Sequence, residues 1–552
     1  MTARPAKRQK VDDGANLAEI DLDEVDLEDL DEETIQRLLD QAEDVQEVDL
    51  TGLKRLVLNL ERVLTRNQQM RIKFASKPEK FVTSEIELDN AIKDFTQIAT
   101  NPYLYPELVR LKCHETLLSL FQHENTDICI DVITLIRDLT DESVYTNEED
   151  APDQVSYLVE KMIDNQLLEC IIQTIHRFDE SQFEDKKGVF ATLEIVENII
   201  EIEPLLARSL VEKTSIMKWL LNRLKKPKFE EIKGYCAEIL FILLQNSKKN
   251  QIEFGASNGI NTLLSAIALY QKKNPPSSEE EEMVENLFNC LCNTIVLKEN
   301  KKYFTEAQGL RLMQKIIKNK RFARKCALKL LSFAMQEDVN NCKRWVEIPG
   351  LGTLFAAFMK KGAQKHKKGF STLEDDEHCM SIIASLFTHL SPEGNLWGRV
   401  LAKFAETNFE KIERLIELHD TYVTRVRSAD AKISKQRNVL VKQGLELTEE
   451  DELDFYMERL DAGLFTLQYV DYVIGIVCSS NEKLKEKCLE LLELQGHSLA
   501  DVISYIKEFA SNLGGKDATT AKIELKVTLD TMVAGLSVED ESTKVSGDAM
   551  EE

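Results

Sequence analysis

Few residues of this 552-residue chain have the types and spacing that catalysis needs. Cys290 and Cys292 stand two positions apart, but a zinc site needs further ligands at suitable spacing. His378 and Cys379 are adjacent and isolated, and the eight histidines are dispersed. The sequence has no Walker loop, no HExxH motif and no nucleophile elbow. We therefore predict that the protein is not an enzyme and has no catalytic residues, metal site or cofactor.

Acidic and amide side chains on three helical segments suggest a different chemistry, the binding of a basic peptide. The candidate groove residues are Glu194, Glu197 and Asn198, then Glu238, and then Glu285, Asn286 and Asn289. Carboxylates have the right charge for a basic peptide, and side-chain amides can hydrogen-bond an extended backbone. The alternative is that these are ordinary solvated helix faces. The peptide hypothesis holds only if the fold places the three segments side by side.

A short basic motif begins the chain, and an acidic segment follows it. In MTARPAKRQKV, Pro5 precedes the cations Lys7, Arg8 and Lys10. This pattern resembles a nuclear localisation signal that an import adaptor binds; the alternative is a solubilising basic terminus. Residues 12–50 hold 17 acidic residues and one basic residue. Such a composition cannot bury enough apolar surface to fold alone, so we predict that this segment is disordered, either as a spacer or as a decoy for a basic-ligand site.

The bulk composition excludes several classes of protein. The net charge of −26 argues against a broad nucleic-acid surface, so we expect no direct sequence-specific nucleic-acid binding. No run of 18 apolar residues is present, so we predict no membrane span. The 11 cysteines are odd in number and scattered, which predicts free thiols in a reducing compartment.

A pattern repeated three times indicates what positions the candidate groove. Each copy has an Asn, three residues, an aromatic residue, four residues and a Gly, followed by Ile or Leu. The copies are Asn250, Phe254 and Gly259; Asn300, Phe304 and Gly309; and Asn341, Trp345 and Gly350. We expect the Asn to end a helix in the left-handed conformation, the Gly to permit a bend, and the aromatic residue to fill the seam between layers.

Repeats of 41 and 50 residues, in a chain whose apolar residues recur at three- and four-residue spacing, predict a stacked helical array. The pattern resembles the armadillo repeat. We therefore predict an all-α, armadillo/HEAT-like right-handed helical solenoid with capping helices and disordered acidic termini; a generic helical bundle is the alternative. Near the carboxyl end we expect a long charged helix over 406–443, then helices over 450–478 and 481–496.

Five segments of the chain are predicted. They are 1–50, a disordered basic arm and acidic segment; 51–116, capping helices; 117–400, armadillo-type repeats; 401–515, a carboxyl-terminal helical cap; and 516–552, a polar acidic tail.

Several blocks together resemble the beta-catenin-like protein 1 family. They include NQQMRIKFASKPEKFVTSEIELDNAI (67–92), HENTDICIDVITLIRDLTD (123–141), NPPSSEEEEMVENLFNCLC (274–292) and FYMERLDAGLFTLQ (455–468). The resemblance implies a nuclear, non-enzymatic armadillo scaffold that associates with the spliceosome through the NineTeen complex. It also implies binding of basic, nuclear-localisation-like peptides of splicing factors, including a Myb-type factor, and self-association as a homodimer.

An importin-α-like transport adaptor is the alternative function. Grooves of that type carry Trp–Asn pairs on successive long helices. Here the tryptophans are Trp219, Trp345 and Trp397, and none is followed by an Asn in that register. The sequence therefore favours the scaffold.

Overall fold

The computed structural model of the protein describes residues 48–143, 151–360, 372–443, 447–513, 523 and 525–536. Every regular element among them is an α-helix or a 3₁₀ turn, which confirms the predicted all-α class. These residues separate into two compact units, divided after Asn165. The basic arm with its localisation motif, the acidic segment up to residue 47 and the last sixteen residues lie outside the described residues, so the predictions made for them stay predictions.

The described residues of the first unit form six α-helices. They are α1 (Leu50–Lys73), α2 (Val82–Lys93), α3 (Tyr105–Arg110), α4 (Cys113–Leu120), α5 (Thr126–Thr140) and α6 (Ala151–Asp164). Side chains cap two of the helix starts: Asp49 accepts a hydrogen bond from the backbone N–H of Gly52 at 2.6 Å, and Asn125 accepts one from Asp127 at 3.0 Å. Helix α2 packs against both α1 and α5.

The second unit contains the remaining helices. They are α7 (Leu167–Ile175), α8 (Phe183–Ile202), α9 (Leu206–Lys213), α10 (Ile216–Leu224), α11 (Glu231–Leu244), α12 (Lys248–Ala256), α13 (Gly259–Ile267), α14 (Ser278–Thr294), α15 (Lys298–Glu306), α16 (Gly309–Asn319), α17 (Arg324–Met335), α18 (Val339–Glu347), α19 (Gly350–Phe358), α20 (Thr372–His389), α21 (Asn395–Ala405), α22 (Glu410–Lys442), α23 (Glu449–Asp461), α24 (Leu464–Ser480), α25 (Glu482–Leu494) and α26 (Leu499–Asn512). A further helical stretch covers residues 525–536.

A unit of three helices repeats within the second unit of the chain. Two short helices are followed by a longer third helix in α9–α11, α12–α14, α15–α17 and α18–α20. The third helices pack in sequence: α8 on α11, then α14, α17, α20 and finally α24. Each of them is apolar on most sides, so neighbours on both sides are needed to bury it. The stack supplies these neighbours.

The repeated asparagines do not end helices, and that expectation was wrong. Asn250, Asn300 and Asn341 each lie in the first turn of a first helix, and each is buried with 1% of its surface exposed. The Asn250 amide donates to the carbonyl oxygens of Leu243 at 2.7 Å and Ala207 at 2.9 Å. It therefore ties the end of the preceding third helix to the preceding first helix. The contact with Leu243 satisfies one of the carbonyl groups that the end of a helix leaves unpaired.

The repeated glycines lie where there is no space for a side chain. A Cβ on Gly259 would lie 2.4 Å from the ring of Phe254, and one on Gly309 would lie 2.4 Å from the ring of Phe304. The left-handed residues are instead the ones before them, Asn258 with φ 60° and Gln308 with φ 61°. The expected role of glycine in the bend is thus taken by its neighbour. Phe254, Phe304 and Trp345 are fully buried.

The carboxyl-terminal helices differ from the prediction at one point. The long charged helix is confirmed as α22, but the segment predicted as one helix over 450–478 is two, α23 and α24, which meet at 61°. Gly463 between them has φ +98°, a conformation that favours glycine. A Cβ there would also lie 2.5 Å from the ring of Tyr422 on α22.

Two further sequence expectations concern the cysteines and membrane spans. All eleven cysteines are free thiols, and ten of them are buried. Burial raises the pKa of Cys113 and Cys236 to about 12, which keeps these thiols protonated and unreactive. Within the described ranges, no single helix is long and apolar enough to span a membrane; the bent pair α23–α24 meets the length and composition criteria only when both helices are taken together.

Candidate peptide-binding site

The structure brings the candidate groove residues together. Glu194, Glu197 and Asn198 lie on α8, Glu238 lies on α11, and Glu285, Asn286 and Asn289 lie on α14. These three helices are consecutive members of the stack of third helices. All seven residues are half-buried, which places them at the boundary between the apolar interior and solvent.

Helical periodicity explains why these positions are half-buried. On α8 the positions around them, including Leu193, Val196 and Ile200, are buried in the seams with neighbouring helices. Glu194, Glu197 and Asn198 lie next to each other on a different side of the helix, because residues three and four positions apart share a face. The apolar pattern that buries one side therefore leaves a polar row along the other.

Three carboxylates from consecutive third helices lie close enough that two of them act on the third. They are Glu197 of α8, Glu238 of α11 and Glu282 of α14, and we call them the acidic cluster. Burial raises the pKa of Glu238, and the negative charges of Glu197 and Glu282 raise it further. The half-buried Glu238 is thus held in a field of like charge, which a bound cation would relieve.

An aromatic pair adjoins the acidic cluster. The hydroxyl of Tyr235 on α11 donates a hydrogen bond to the carboxylate of Glu197 on α8. The Tyr235 ring stacks on Phe190 of α8, with ring centroids 6.1 Å apart. Burial, followed by the hydrogen bond to Glu197, raises the pKa of Tyr235, so the hydroxyl stays protonated as the donor. This contact fixes the Glu197 side chain between the two helices.

One predicted groove acid is already neutralised. Glu285 on α14 forms an ion pair with Lys325 on α17, with Nζ 2.6 Å from Oε1. Burial opposes the charge on Lys325, but the hydrogen bond and attraction from Glu285 outweigh it and raise the lysine pKa. Glu285 is therefore less available than Glu238 for a ligand cation.

The charge of the stack becomes mixed beyond α14. Lys329 is exposed on α17, and on α20 Glu377 and His378 lie within its electrostatic influence. Burial, with Lys329 adding to it, lowers the pKa of His378 to about 4, so this histidine is neutral at physiological pH. The charge beyond α14 is thus mixed, and positive charge is also present earlier in the stack, where Lys186 of α8 forms an ion pair with Glu231 of α11.

Sequence reasoning missed three residues of this site. Tyr235 is three positions before Glu238, so helical spacing alone could have placed it on the same face. Glu282 belongs to an acidic run at the start of α14, where negative charge is favourable without any ligand, so the sequence alone does not single it out. Lys325 could not have been paired with Glu285, because that contact depends on the register between two helices 40 positions apart in sequence.

The cysteines considered for catalysis or zinc binding lie in the buried core. Cys290, Cys292 and Cys379 are buried, and burial raises the pKa of Cys292 to about 12. Across the described parts of the chain, no group of three or more His, Cys, Asp or Glu side chains could hold a metal ion. The acidic cluster is the arrangement with evident binding chemistry, since it offers carboxylates to a cationic ligand.

The stacked three-helix units, with two short helices and a long third, define an armadillo-type helical repeat protein. Residues 33–507 match the family described as catenin-beta-like, Arm-motif containing nuclear, and the chain belongs to this family. The resemblance noted from the sequence blocks is thereby confirmed. The family description also agrees with the predicted nuclear localisation.

Curated relatives extend over most of the chain. Beta-catenin-like protein 1 of Homo sapiens is 38% identical over 472 residues, which cover 85% of this chain and 83% of that protein. The beta-catenin-like protein 1 homolog of Schizosaccharomyces pombe is 32% identical over 500 residues, covering 89% and 85% of the two chains. Among solved structures, an engineered protein is 12% identical with a TM-score of 0.48, covering 87% of this chain and 99% of its own.

Proposed function

We propose that this protein is a non-enzymatic nuclear scaffold of the spliceosome, associated with the NineTeen complex. In this role it binds basic, nuclear-localisation-like peptide segments of splicing factors, including a Myb-type factor. Membership of a nuclear Arm-motif family supports the scaffold role. The observation that carries the peptide-binding part is the acidic cluster, whose members come from three consecutive third helices. Burial raises the pKa of Glu238, and the negative charges of Glu197 and Glu282 raise it further.

The spacing of the stack suits an extended peptide. Packed helices lie about 8–10 Å apart, and an extended chain advances about 3.3 Å per residue. A peptide that crosses the stack therefore passes one third helix about every three residues. Cations at such intervals can each approach one carboxylate of the acidic cluster. Because Glu197 and Glu238 are half-buried, their attraction to a cation is screened less than that of the exposed Glu282.

The binding experiment compares two variants in which three glutamates are each replaced by Gln, so that both lose the same negative charge. The triple variant Glu197→Gln, Glu238→Gln and Glu282→Gln removes the acidic cluster. Its matched control is Glu253→Gln, Glu299→Gln and Glu306→Gln, which removes three exposed carboxylates from the first helices α12 and α15. We expect fluorescence anisotropy of a labelled lysine- and arginine-rich peptide to show at least tenfold weaker binding to the first variant only, about 1.4 kcal/mol or more.

The scaffold role is tested by purifying the tagged protein and both variants from nuclear extract, followed by mass spectrometry. Splicing proteins that accompany the wild type and the control but not the acidic-cluster variant would support both parts of the proposal. Splicing proteins retained by all three proteins would support the scaffold and place the peptide site elsewhere. Import receptors with diverse cargo and no splicing proteins would instead favour the transport adaptor.

The positions of the tryptophans count against the transport-adaptor alternative. Trp219 lies on the second helix α10, Trp345 on the first helix α18, and Trp397 on the first helix α21. None of these three residues is on a third helix, where an importin-type groove presents its Trp–Asn pairs. Trp345 is in addition fully buried, so it is not available to a peptide.

A further inference from the structure

Helix 525–536 covers the last third helix of the stack. Leu529 and Leu536 are fully buried, and Met532 packs against Gly475 of α24. The fit at Gly475 is close, because a Cβ there would lie 2.4 Å from the sulfur of Met532 and 3.1 Å from Cδ1 of Ile506 on α26. Gly475 therefore forms a notch that receives the methionine, with Ile506 as one wall. We call this the Gly475 notch.

The position of α24 explains why it needs a cover. Its buried residues run without interruption from Val470 to Cys478, so it is buried on nearly every side, and Asp471 is the one charged residue in that run. It packs on α20, α22, α25 and α26, and α20 is the preceding third helix of the stack. A terminal repeat has no following repeat to bury its outer face, so another element must do it.

Helix 525–536 buries fewer residues than the neighbouring helix α26. Among residues 525–536, only Leu529 and Leu536 are buried, whereas α26 buries six residues over a similar length. Val527 is 60% exposed. A helix of twelve residues is marginal without tertiary contacts, and elements with few buried apolar contacts open at low free energy. The helix also lies beyond residue 507, where the match to the family ends, whereas the Gly475 notch lies within the matched region.

We propose that residues 525–536 form a reversible cap on α24, which opens independently of the rest of the fold and uncovers the apolar Gly475 notch. The occupant of the notch is this segment of the chain itself. Met532 enters the notch, and the buried Leu529 and Leu536 lie on the same helix face, at positions i, i+3 and i+7 with Met532. The cap thus controls whether an apolar helix-docking surface at the end of the stack is covered or exposed.

Hydrogen exchange of the full-length wild-type protein tests reversibility without any substitution. We expect the amides of 525–536 to exchange about tenfold or more faster than those of α26, at a denaturant-independent rate that marks local opening. Equal protection of 525–536 and α26 would overturn the proposal, since the helix would then be a permanent part of the fold.

Binding in trans tests the Gly475 notch. In full-length protein, Leu529→Asp with Leu536→Asp releases the cap and leaves the notch intact. A labelled peptide of residues 523–538 with the wild-type sequence should bind this variant at least tenfold more tightly than it binds the wild-type protein, whose notch is occupied. Adding Gly475→Met to the released variant fills the notch and should abolish the gain. Failure of the peptide to bind the released variant, or equal binding after Gly475→Met, would refute the proposal.

Discussion

Replacing Asn300 by Ala is expected to destabilise the second unit by about 2–3 kcal/mol. Asn300 has 1% of its surface exposed, and its Nδ2 donates to the carbonyl oxygens of Gln251 at 2.9 Å and Thr294 at 3.0 Å. Gln251 belongs to the preceding first helix and Thr294 to the end of the preceding third helix. One amide group therefore joins three helices of two successive repeats.

The magnitude follows from the two hydrogen bonds and from what their loss leaves behind. Each buried hydrogen bond contributes about 1 kcal/mol net, and a buried carbonyl left without a partner adds a desolvation penalty. The penalty is small at Thr294, because its carbonyl also accepts from the backbone N–H of Leu297 at 3.2 Å. Two lost bonds plus a partial penalty and a small cavity give the expected range.

Urea unfolding followed by far-ultraviolet circular dichroism measures the effect. Lys302→Ala on the same helix is the control; its side chain is 75% exposed, so we expect a change within about 0.5 kcal/mol. Asn341→Ala should cost a similar amount, since the Asn341 side chain also makes two hydrogen bonds: its Nδ2 donates to the carbonyl oxygen of Ala334 at 2.9 Å, and its Oδ1 accepts from the Thr305 hydroxyl. If Asn300→Ala and Lys302→Ala unfold at the same urea concentration, the bridging role of the asparagine is refuted.

Three other substitutions test other parts of the fold. Phe304→Ala removes a fully buried ring and should cost about 3–5 kcal/mol in urea unfolding; a loss under about 0.5 kcal/mol would contradict its place in the seam. Gly463→Ala meets the Tyr422 ring at a φ of +98° and should cost about 1–3 kcal/mol in the same assay, whereas an unchanged midpoint would contradict the tight turn. Burial raises the pKa of Asp471 from 3.8 to about 6, although His419, at 2.6 Å, opposes the rise. The folded state therefore favours the protonated carboxyl of Asp471. The stability that this protonated group contributes is fully present below pH 3.8 and is lost as the pH rises to about 6. Asp471→Asn should flatten the dependence of Tm on pH in that window; a curve parallel to that of the wild type would contradict the assignment.

The helices were predictable because apolar spacing reports which face is buried. Helix α22 and the stacked third helices follow from periodicity alone. The break at Gly463 was not predictable in this way, since apolar residues continue on both sides of it and a glycine inside a helical pattern is ambiguous. What decides the break is the approach of Tyr422 from α22, a contact between segments about 40 residues apart.

The role of the repeated asparagine was missed for a different reason. The repeat was located correctly, but its asparagine was assigned to the end of one helix, whereas it lies in the first turn of the next. Helix α12 begins at Lys248, so Asn250 lies inside its first turn, where its side chain points back to the end of α11. A shift of that size is within the usual uncertainty of helix ends, yet it changes a helix-ending residue into a buried bridge between repeats.

The charge at each step of the candidate groove depends on two neighbouring repeats. The sequence could therefore identify the acidic residues of the candidate groove but not which of them are already paired with a cation. Glu238 and Glu285 are both half-buried acids on third helices of adjacent repeats. Glu238 faces Glu197 and Glu282 from its two neighbouring helices, whereas Glu285 faces Lys325. The same residue type therefore attracts a cation at one step of the stack and is neutralised at the next. Because each step is set by the register of two helices, the charge along the stacked third helices is a property of neighbouring repeats rather than of any single repeat.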